Sequence, residues 1–280
     1  MRRHQGAAFL FRRTAYTRLF VIFLVCLLVL EGALFALIAW SRGSVQHELN
    51  QSTANSLRYL SQRFDDDIAN LQYEMQCATQ SRFITHLFAY YQTMKPSERY
   101  TELNDALTYL ENLSTYNRNI DRLELYSYQH DFRLGVGKAP AVTYLSRDEM
   151  RSLLAEVREG GFRLLSSLEG ELTVNYMVPI SSYVTDREPT FYLRVSFRRT
   201  RVLESLQSLA TDGNAAMAYL IYLPEKVVYA TPAAPDHAAA LMSMAFTREV
   251  GFLDTKVNGR KYVAVGKLLD DNPDCLLVQL

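Results

Sequence analysis

The sequence begins with a long apolar segment from Leu19 to Trp40, in which Glu31 is the only charged residue. A helix of this length measures about 33 Å at 1.5 Å per residue, which matches a bilayer core of about 30 Å. The run is also longer than the apolar part of a secretory leader. Behind it, Trp40-Ser41-Arg42-Gly43 places a bulky ring and a charge where a cleavage site needs small residues. The segment therefore predicts a retained transmembrane helix over residues 19–40.

Charge on the two sides of this helix predicts its orientation. Only Arg42 follows the helix closely, whereas no acidic residue and five arginines precede it: Arg2, Arg3, Arg12, Arg13 and Arg18. By the positive-inside rule, residues 1–18 form a cytoplasmic basic tail and residues 41–280 are extracellular. Glu31 has two explanations that stay open, namely a contact with another membrane helix and a protonated or snorkelling carboxyl group in an apolar span.

The next part of the chain has helical periodicity. Apolar residues recur mostly at steps of three and four, at Leu49, Leu57, Leu60, Phe64, Ile68, Leu71, Met75 and Ala78. Because no proline lies between Ser41 and Lys95, we expect one stalk helix of about 45–50 residues. Pro96-Ser97 begins a return helix, so residues 41–118 are predicted to hold both helices. The apolar stripe also offers a surface to a partner helix and predicts a homodimer through the long helix.

From Ile120 the period changes to two. The segment "IDRLELYSYQ" alternates in the manner of a strand, and a capping box at Ser146–Glu149 starts a short helix that ends near Gly160-Gly161. A polar turn is predicted at residues 185–189, and further strands at Phe162–Leu168, Leu172–Ile180 and Thr190–Arg198. This order predicts a compact α+β module over residues 119–198, distal to the membrane.

The same order of elements then repeats. A linking helix is expected over residues 199–210, and a second module over residues 211–280 contains a hairpin turn at Asn258-Gly259. The predicted fold class is α+β, with an N-terminal transmembrane helix, a long spine helix and two stacked modules with antiparallel sheets.

Composition excludes several functions. Thirty basic residues balance thirty acidic ones, which argues against nucleic-acid contact by this region. The three cysteines, Cys26, Cys77 and Cys275, have no metal-binding spacing, and a Cys77–Cys275 disulfide stays open. Asp65-Asp66-Asp67 cannot converge on one ion, because consecutive helical residues point about 100° apart, so we expect a solvated face with one helix-to-helix contact. No nucleophile motif accompanies His130-Asp131, and we expect no enzyme, metal or cofactor.

The binding candidates lie on the distal module. Aromatic faces and a few hydrogen-bonding groups line its strands, as in a small-molecule pocket: Tyr126, Tyr128, Tyr144, Asn175, Tyr176, Tyr192 and Arg194. Alternation gives any half-exposed sheet such residues, and the pairs Tyr126/Tyr128 and Asn175/Tyr176 cannot all face one side.

Three stretches carry a resemblance to a known family: "LRYLSQRFDDDIANLQYEMQCATQSRFITHLF", "LTYLENLSTYNRNIDRLELYSYQ" and "TKVNGRKYVAVGKLL" with the final "CLLVQL". They resemble the extracellular double-Cache region, a tandem of PAS-like modules, of Gram-positive membrane-bound AraC-type regulators and sensor histidine kinases. The resemblance covers most of residues 57–280. It implies a ligand-sensing domain of a bacterial receptor, with a second membrane helix and an output domain after residue 280.

The resemblance also limits the ligand. Amino-acid-binding members carry an arginine–tryptophan–tyrosine arrangement, whereas the only tryptophan here is Trp40, at the membrane. A sugar, another small polar solute or a solute-loaded binding protein stays open as the partner. Kinase activity or DNA contact would belong to the output domain. The alternative function is a non-signalling surface adhesion or assembly protein with the same fold.

Overall fold

The computed structural model of the protein describes residues 5–137, 141–152, 165–178, 191–209 and 217–280. The chain divides into two compact units, one up to Thr53 and one from Ala54. In the first unit residues 5–53 are helical, and the apolar side chains from Phe20 to Trp40 are exposed. An 18-residue window of this helix reaches a mean hydropathy of 2.9, so that by length and composition it is able to cross a bilayer.

The first helix, α1, covers Gln5–Gln80 and is followed by α2, Arg82–Tyr90, and α3, Pro96–Tyr116. The predicted start of a helix at Pro96 is confirmed. The prediction of an unbroken helix up to Lys95 is wrong, because Ser81 has extended backbone angles (φ −64°, ψ 149°) and its Oγ accepts a hydrogen bond from the Ile84 N–H. Serine is a favoured helix N-cap, so a new helix begins there.

Six antiparallel strands form the first sheet, in the order β3-β2-β1-β6-β5-β4. They are β1 Ile120–Ser127, β2 Phe132–Val136, β3 Ala141–Tyr144, β4 Leu165–Leu168, β5 Glu171–Val178 and β6 Phe191–Phe197. Residues 147–152 are helical, as the capping box predicts, and Ser146 N–H and Oγ both donate to Glu149 Oε2. The predicted helix end at Gly160-Gly161 and the turn at residues 185–189 lie outside the described residues.

The second sheet follows helix α4, Arg199–Gln207, and has the order β8-β7-β11-β10-β9. Its elements are β7 Ala218–Tyr222, β8 Val227–Ala230, helix α5 Ala238–Met242, β9 Gly251–Val257, β10 Arg260–Leu268 and β11 Cys275–Gln279. The predicted hairpin is confirmed, since Asn258 (φ 49°) and Gly259 (φ 79°) both have the positive φ of a type I′ turn. The predicted α+β class with two antiparallel sheets is therefore confirmed.

One core joins the helices to both sheets. The apolar stripe of α1 from Leu57 to Ala78 is at most 4% exposed and packs with the inner strand faces, such as Leu125 and Val195 of the first sheet and Leu220 and Leu277 of the second. The predicted use of this stripe as a dimer surface is wrong over residues 57–78, because the chain's own sheets cover it. Leu49, nearer the membrane helix, is exposed.

Two tyrosine hydroxyls of the second sheet reach the first. Tyr229 Oη accepts the Leu172 N–H of β5 at 2.8 Å, and Tyr222 Oη donates to the Leu165 carbonyl of β4 at 2.8 Å. All four residues are buried. Strands β4 and β5 therefore bear the direct hydrogen bonds to the neighbouring sheet.

Asp65 does not lie on a solvated face as expected. Its buried carboxylate accepts the Asp270 N–H at 2.9 Å and the Asn272 side-chain amide at 2.8 Å, both in the loop between β10 and β11. Asp67 accepts the Asn119 amide at 3.1 Å, whereas Asp66 is exposed. The acidic triplet thus fixes the second sheet and the start of the first against α1.

We expect Asp65→Ala to lower the free energy of unfolding by about 1–3 kcal/mol, because it leaves the buried Asn272 amide and the partly buried Asp270 N–H unpaired. The loss is measured as a fall of several degrees in Tm for the full chain in detergent micelles. Asp66→Ala is the matched control and should leave Tm unchanged within about 1 °C, since surface changes are nearly neutral. Equal effects of the two substitutions would contradict the assignment.

Candidate functional site

The central strands of the first sheet, β1 and β6, are largely buried on both faces. Leu123 and Leu125 of β1 face the helices, whereas Glu124 and Tyr126 project from the opposite side, here called the outer face. A half-exposed sheet was expected, yet Glu124 is only 6% exposed and Tyr126 is buried. Polar side chains are thus buried on the outer face, where strand alternation alone predicts contact with solvent.

Strand register brings the polar residues of the outer face into two rows. Glu124 of β1, Arg194 of β6 and Asn175 of β5 are cross-strand neighbours. The next row contains Tyr126, Tyr192 and Met177. Neighbouring side chains on one sheet face lie within contact distance, so the rows form one continuous surface.

Hydrogen bonds connect these side chains into two groups. Tyr126 Oη donates to Glu124 Oε2 at 2.8 Å, and Arg133 Nη1 donates to Glu124 Oε1 at 3.3 Å. Tyr192 Oη donates to Asn175 Oδ1 at 2.6 Å, and Asn175 Nδ2 donates to Ser166 Oγ at 2.8 Å. The network continues across the sheet, because Ser166 and Thr173 hydroxyls lie 2.7 Å apart. We call these seven residues and Arg194 the outer-face network.

Arg194 connects to this network through one hydrogen bond. Its Nε donates to Tyr192 Oη at 3.3 Å, and its guanidinium carbon lies 5.4 Å from the centroid of the Tyr192 ring. Burial raises the pKa of Tyr126, and the neighbouring Glu124 carboxylate raises it further. The Tyr126 hydroxyl therefore keeps its proton and stays a donor to Glu124.

The structure brings together four of the seven predicted site residues: Tyr126, Asn175, Tyr192 and Arg194. Tyr128 lies beside them in a small buried cluster with Met150 and Met177. Tyr176 points to the inner face and belongs to the helix-facing core, as its position between Asn175 and Met177 requires.

Tyr144 lies apart from the outer-face network. It sits on edge strand β3, where it is 64% exposed. It hydrogen-bonds Tyr91, whose pKa is raised to about 12, first by burial and then by Tyr144. Tyr144 and Tyr176 therefore do not belong to one pocket with the other predicted residues.

Sequence reasoning missed Glu124, Arg133, Ser166 and Thr173. Glu124 occupies a position that alternation assigns to solvent, and Arg133 lies on β2, a strand that the sequence analysis did not predict. The available signal was that charged or polar residues occur at corresponding positions of several neighbouring strands. These residues are recognised as one surface only when the register of the strands is known, and the sequence alone does not determine that register.

Two clefts border the outer-face network. One of about 300 Å³ opens beside Glu124 and is lined by Asp121, Arg122, Glu124, Arg133, Gly135, Val136, Gly137 and Ala141. A second of about 530 Å³ is lined by Gln92, Tyr128, Gln129, Asp131, Arg147, Met150 and Arg151. Charges of both signs line each cleft, which suits a small polar solute better than an apolar one.

The described residues contain no group of three His, Cys, Asp or Glu side chains able to hold a metal ion. All three cysteines are unpaired: Cys26 and Cys77 are exposed, and Cys275 is buried on β11. The Cys77–Cys275 disulfide, which the sequence left open, is not formed.

His130 lies in the turn between β1 and β2 and faces Phe88 of helix α2. Its ring stacks on Tyr91 at 4.4 Å between centroids and contacts Phe88 and Phe132. Its Nε2 is buried and has no hydrogen-bond partner in the described part of the chain. Burial lowers the pKa of His130, Arg99 lowers it too, and Asp131 and the Phe88 backbone oppose the shift.

Because the folded pKa of His130 is depressed, its contribution to stability is complete above the unfolded pKa near 6.5 and is lost as the pH falls through the folded pKa. We expect the Tm of His130→Phe to fall less than that of the wild type between about pH 7.5 and about pH 5. His86→Phe is the control, since His86 is partly exposed and its Nδ1 lies 3.2 Å from Glu102 Oε2. An unchanged pH dependence in His130→Phe would refute the assignment.

Neither a described protein family nor a curated protein matches the sequence. Solved structures do match. The extracellular domain of a histidine kinase aligns with a TM-score of 0.53 and 12% identity, over 84% of this chain and 95% of that one. A domain of a sensory box/GGDEF family protein from Vibrio parahaemolyticus aligns with a TM-score of 0.51 and 10% identity, over 82% of this chain and 96% of that one. The sensory domain of the Campylobacter jejuni chemoreceptor Tlp3 with isoleucine bound aligns with a TM-score of 0.48 and 11% identity, over 83% of this chain and 93% of that one.

The fold is therefore that of extracellular sensory domains of the Cache and PAS-like type. The resemblance inferred from the sequence is confirmed at the level of the fold.

Proposed function

We propose that the protein is the membrane-anchored extracellular sensor of a bacterial signal-transduction receptor, and that it binds a small polar solute at the outer face of the first sheet. The observation that carries this proposal is the buried outer-face network. Burying charged and polar groups is costly, so a core that serves stability alone favours apolar side chains there. A site that must recognise a polar solute retains such groups.

The anchor is the apolar helix of residues 19–40, with the N-terminus in the cytoplasm. Its length, its exposed apolar side chains and the five preceding arginines support this arrangement. A receptor of this kind requires an output region, and a histidine kinase or an AraC-type DNA-binding regulator of a Gram-positive organism fits the family resemblance. Ligand binding then acts on the output by favouring one of two conformations of the sensor.

Orientation is tested by introducing single cysteines into full-length protein in which Cys26 and Cys77 are replaced by alanine. We expect Lys261→Cys, on an exposed position of β10, to react with a membrane-impermeant thiol reagent in intact cells. Gln5→Cys should react only after the cells are permeabilised, because the basic tail is cytoplasmic. The reverse labelling pattern would exclude an extracellular sensor.

Ligand binding is tested on the full chain in lipid nanodiscs with a panel of amino acids, sugars, organic acids and nucleobases. We expect at least one solute to raise Tm, and Tyr192→Phe to weaken its binding by about tenfold or more, because the Tyr192 hydroxyl holds Asn175 and Arg194 in place on the outer face. Tyr176→Phe is the matched control, because Tyr176 is a buried tyrosine of the same sheet that faces the helices. Its affinity should equal that of the wild type.

Two results would contradict the proposed function. One is the absence of any stabilising solute in the panel. The other is a solute whose affinity falls in Tyr176→Phe and not in Tyr192→Phe, which would move the site to the inner face. In the first case the alternative of a non-signalling adhesion or assembly protein would be favoured.

A further inference from the structure

The turn between β1 and β2 contacts helix α2 on one side and the larger of the two clefts on the other. Gln129 and Asp131 of this turn line the cleft of about 530 Å³. His130, between them, instead has its ring against α2, with 4.4 Å to the centroid of the Tyr91 ring and 6.1 Å to that of Phe88. A displacement of the His130 ring therefore moves a residue of the cleft on either side of it in the chain.

The surroundings of His130 suit a neutral ring. Its Nε2 is buried, and no hydrogen-bond partner for it lies among the described residues. Phenylalanine would fill the same aromatic space without leaving a buried nitrogen unpaired, so packing alone does not explain a histidine here. A protonated ring has two N–H donors, and of the described groups the Phe88 backbone satisfies one of them. Protonation therefore makes this buried position costly.

The helices packed against His130 do not compensate a positive charge on it. Arg99 of α3 lies on the same tyrosine as His130, with its guanidinium carbon 4.5 Å from the centroid of the Tyr91 ring. The Arg99 cation opposes a second positive charge nearby. Tyr91 itself hydrogen-bonds Tyr144 of β3 and keeps its proton, because its pKa is raised to about 12, so it supplies no negative charge.

Asp131 is the described carboxylate that favours a charged His130, and it is already engaged. Its Oδ2 lies 3.6 Å from Nε of Arg147. Its carbonyl accepts the Leu145 N–H at 2.8 Å. Arg147 also lines the cleft, so Asp131 connects the β1–β2 turn to the residues on the other side of that cleft.

Resting on the proposed sensor function, we propose that His130 makes this cleft sensitive to protons: the protonated ring leaves its place against α2, and the β1–β2 turn moves with it. The shape of the cleft then changes, because Gln129 and Asp131 belong to the turn. A solute that fits the cleft in its neutral-pH form binds less tightly as the pH falls, since the proton and the solute favour different conformations.

A dye attached at Gln129 tests the movement of the turn without any solute. Gln129→Cys is introduced into the full chain with Cys26 and Cys77 replaced by alanine, labelled with a solvent-sensitive dye and studied in nanodiscs. Between about pH 8 and about pH 4.5 we expect one transition in the emission. Its midpoint should lie below 6.5, because burial lowers the pKa of His130. The same dye on Lys261→Cys, in the second sheet, should show no transition at that pH.

Three variants assign the transition to His130. His130→Phe keeps an aromatic ring and removes the site of protonation, so we expect the transition to disappear. His86→Phe, which removes a partly exposed histidine of α2, should leave the transition unchanged. Arg99→Gln removes the neighbouring positive charge and should raise the midpoint by at least about 0.3 pH unit. This last variant tests the inference even if His130→Phe does not fold.

Three results would overturn the inference. The first is an emission from labelled Gln129→Cys that does not change with pH. The second is a transition with the same midpoint in His130→Phe. The third is a midpoint that is unchanged or lower in Arg99→Gln. Each of them leaves the sensor function intact, because that function is judged by the solute panel and the Tyr192→Phe variant.

Discussion

The burial of one stripe of helix α1 is the constraint on which the second unit of the chain depends. Residues 57–78 place an apolar side chain at every turn, and those side chains are shared between the inner faces of both sheets. Each sheet needs an apolar layer over its inner face, and the same helix supplies that layer to both. Asp65 adds a polar contact to this apolar one, since it satisfies two donors of the β10–β11 loop from the same helix.

This arrangement explains why the outer face of the first sheet is free to be polar. The inner face, with Leu125, Val174 and Val195, supplies the apolar burial that the strands need. Side chains at the alternate positions therefore contribute little to the helix-facing core and can be chosen for recognition. Glu124, Asn175 and Arg194 occupy such positions, and their neighbours Tyr126 and Tyr192 combine an aromatic surface with a hydroxyl group.

Local signals predicted the fold well. Pro96 started a helix, the Asn258-Gly259 pair formed a type I′ hairpin, and the period of two marked β1. Errors arose where a residue's role depends on tertiary contacts. The break at Ser81 needs no proline or glycine, because a serine cap suffices, and Asp65 is buried only because a loop about two hundred residues later meets it.

The site was predicted in part for the same reason. Tyr126, Asn175, Tyr192 and Arg194 stand at positions of one parity within their strands, and register then made them neighbours. Tyr176 has the opposite parity, so residue type alone misassigned it. Glu124 and Arg133 went unnoticed because a charged residue in a strand is ordinarily taken as solvent-exposed. Whether a face of a sheet is buried or exposed depends on the tertiary packing, which the alternation of residues along a strand does not reveal.

The hydrogen bonds between the two sheets have a mechanical consequence. Strand β5 holds Asn175 on its outer side, and its Leu172 N–H is fixed by Tyr229 of the second sheet; strand β4 holds Ser166, and its Leu165 carbonyl is fixed by Tyr222. Strands β4 and β5, at one end of the outer-face network, are thus the strands that are hydrogen-bonded to the second sheet. A solute that changes the separation of β4 and β5 would act directly on Tyr222 and Tyr229, without a prior movement of helix α1. Two buried phenol groups thus form a direct hydrogen-bonded connection between the strands that carry Asn175 and Ser166 and the second sheet.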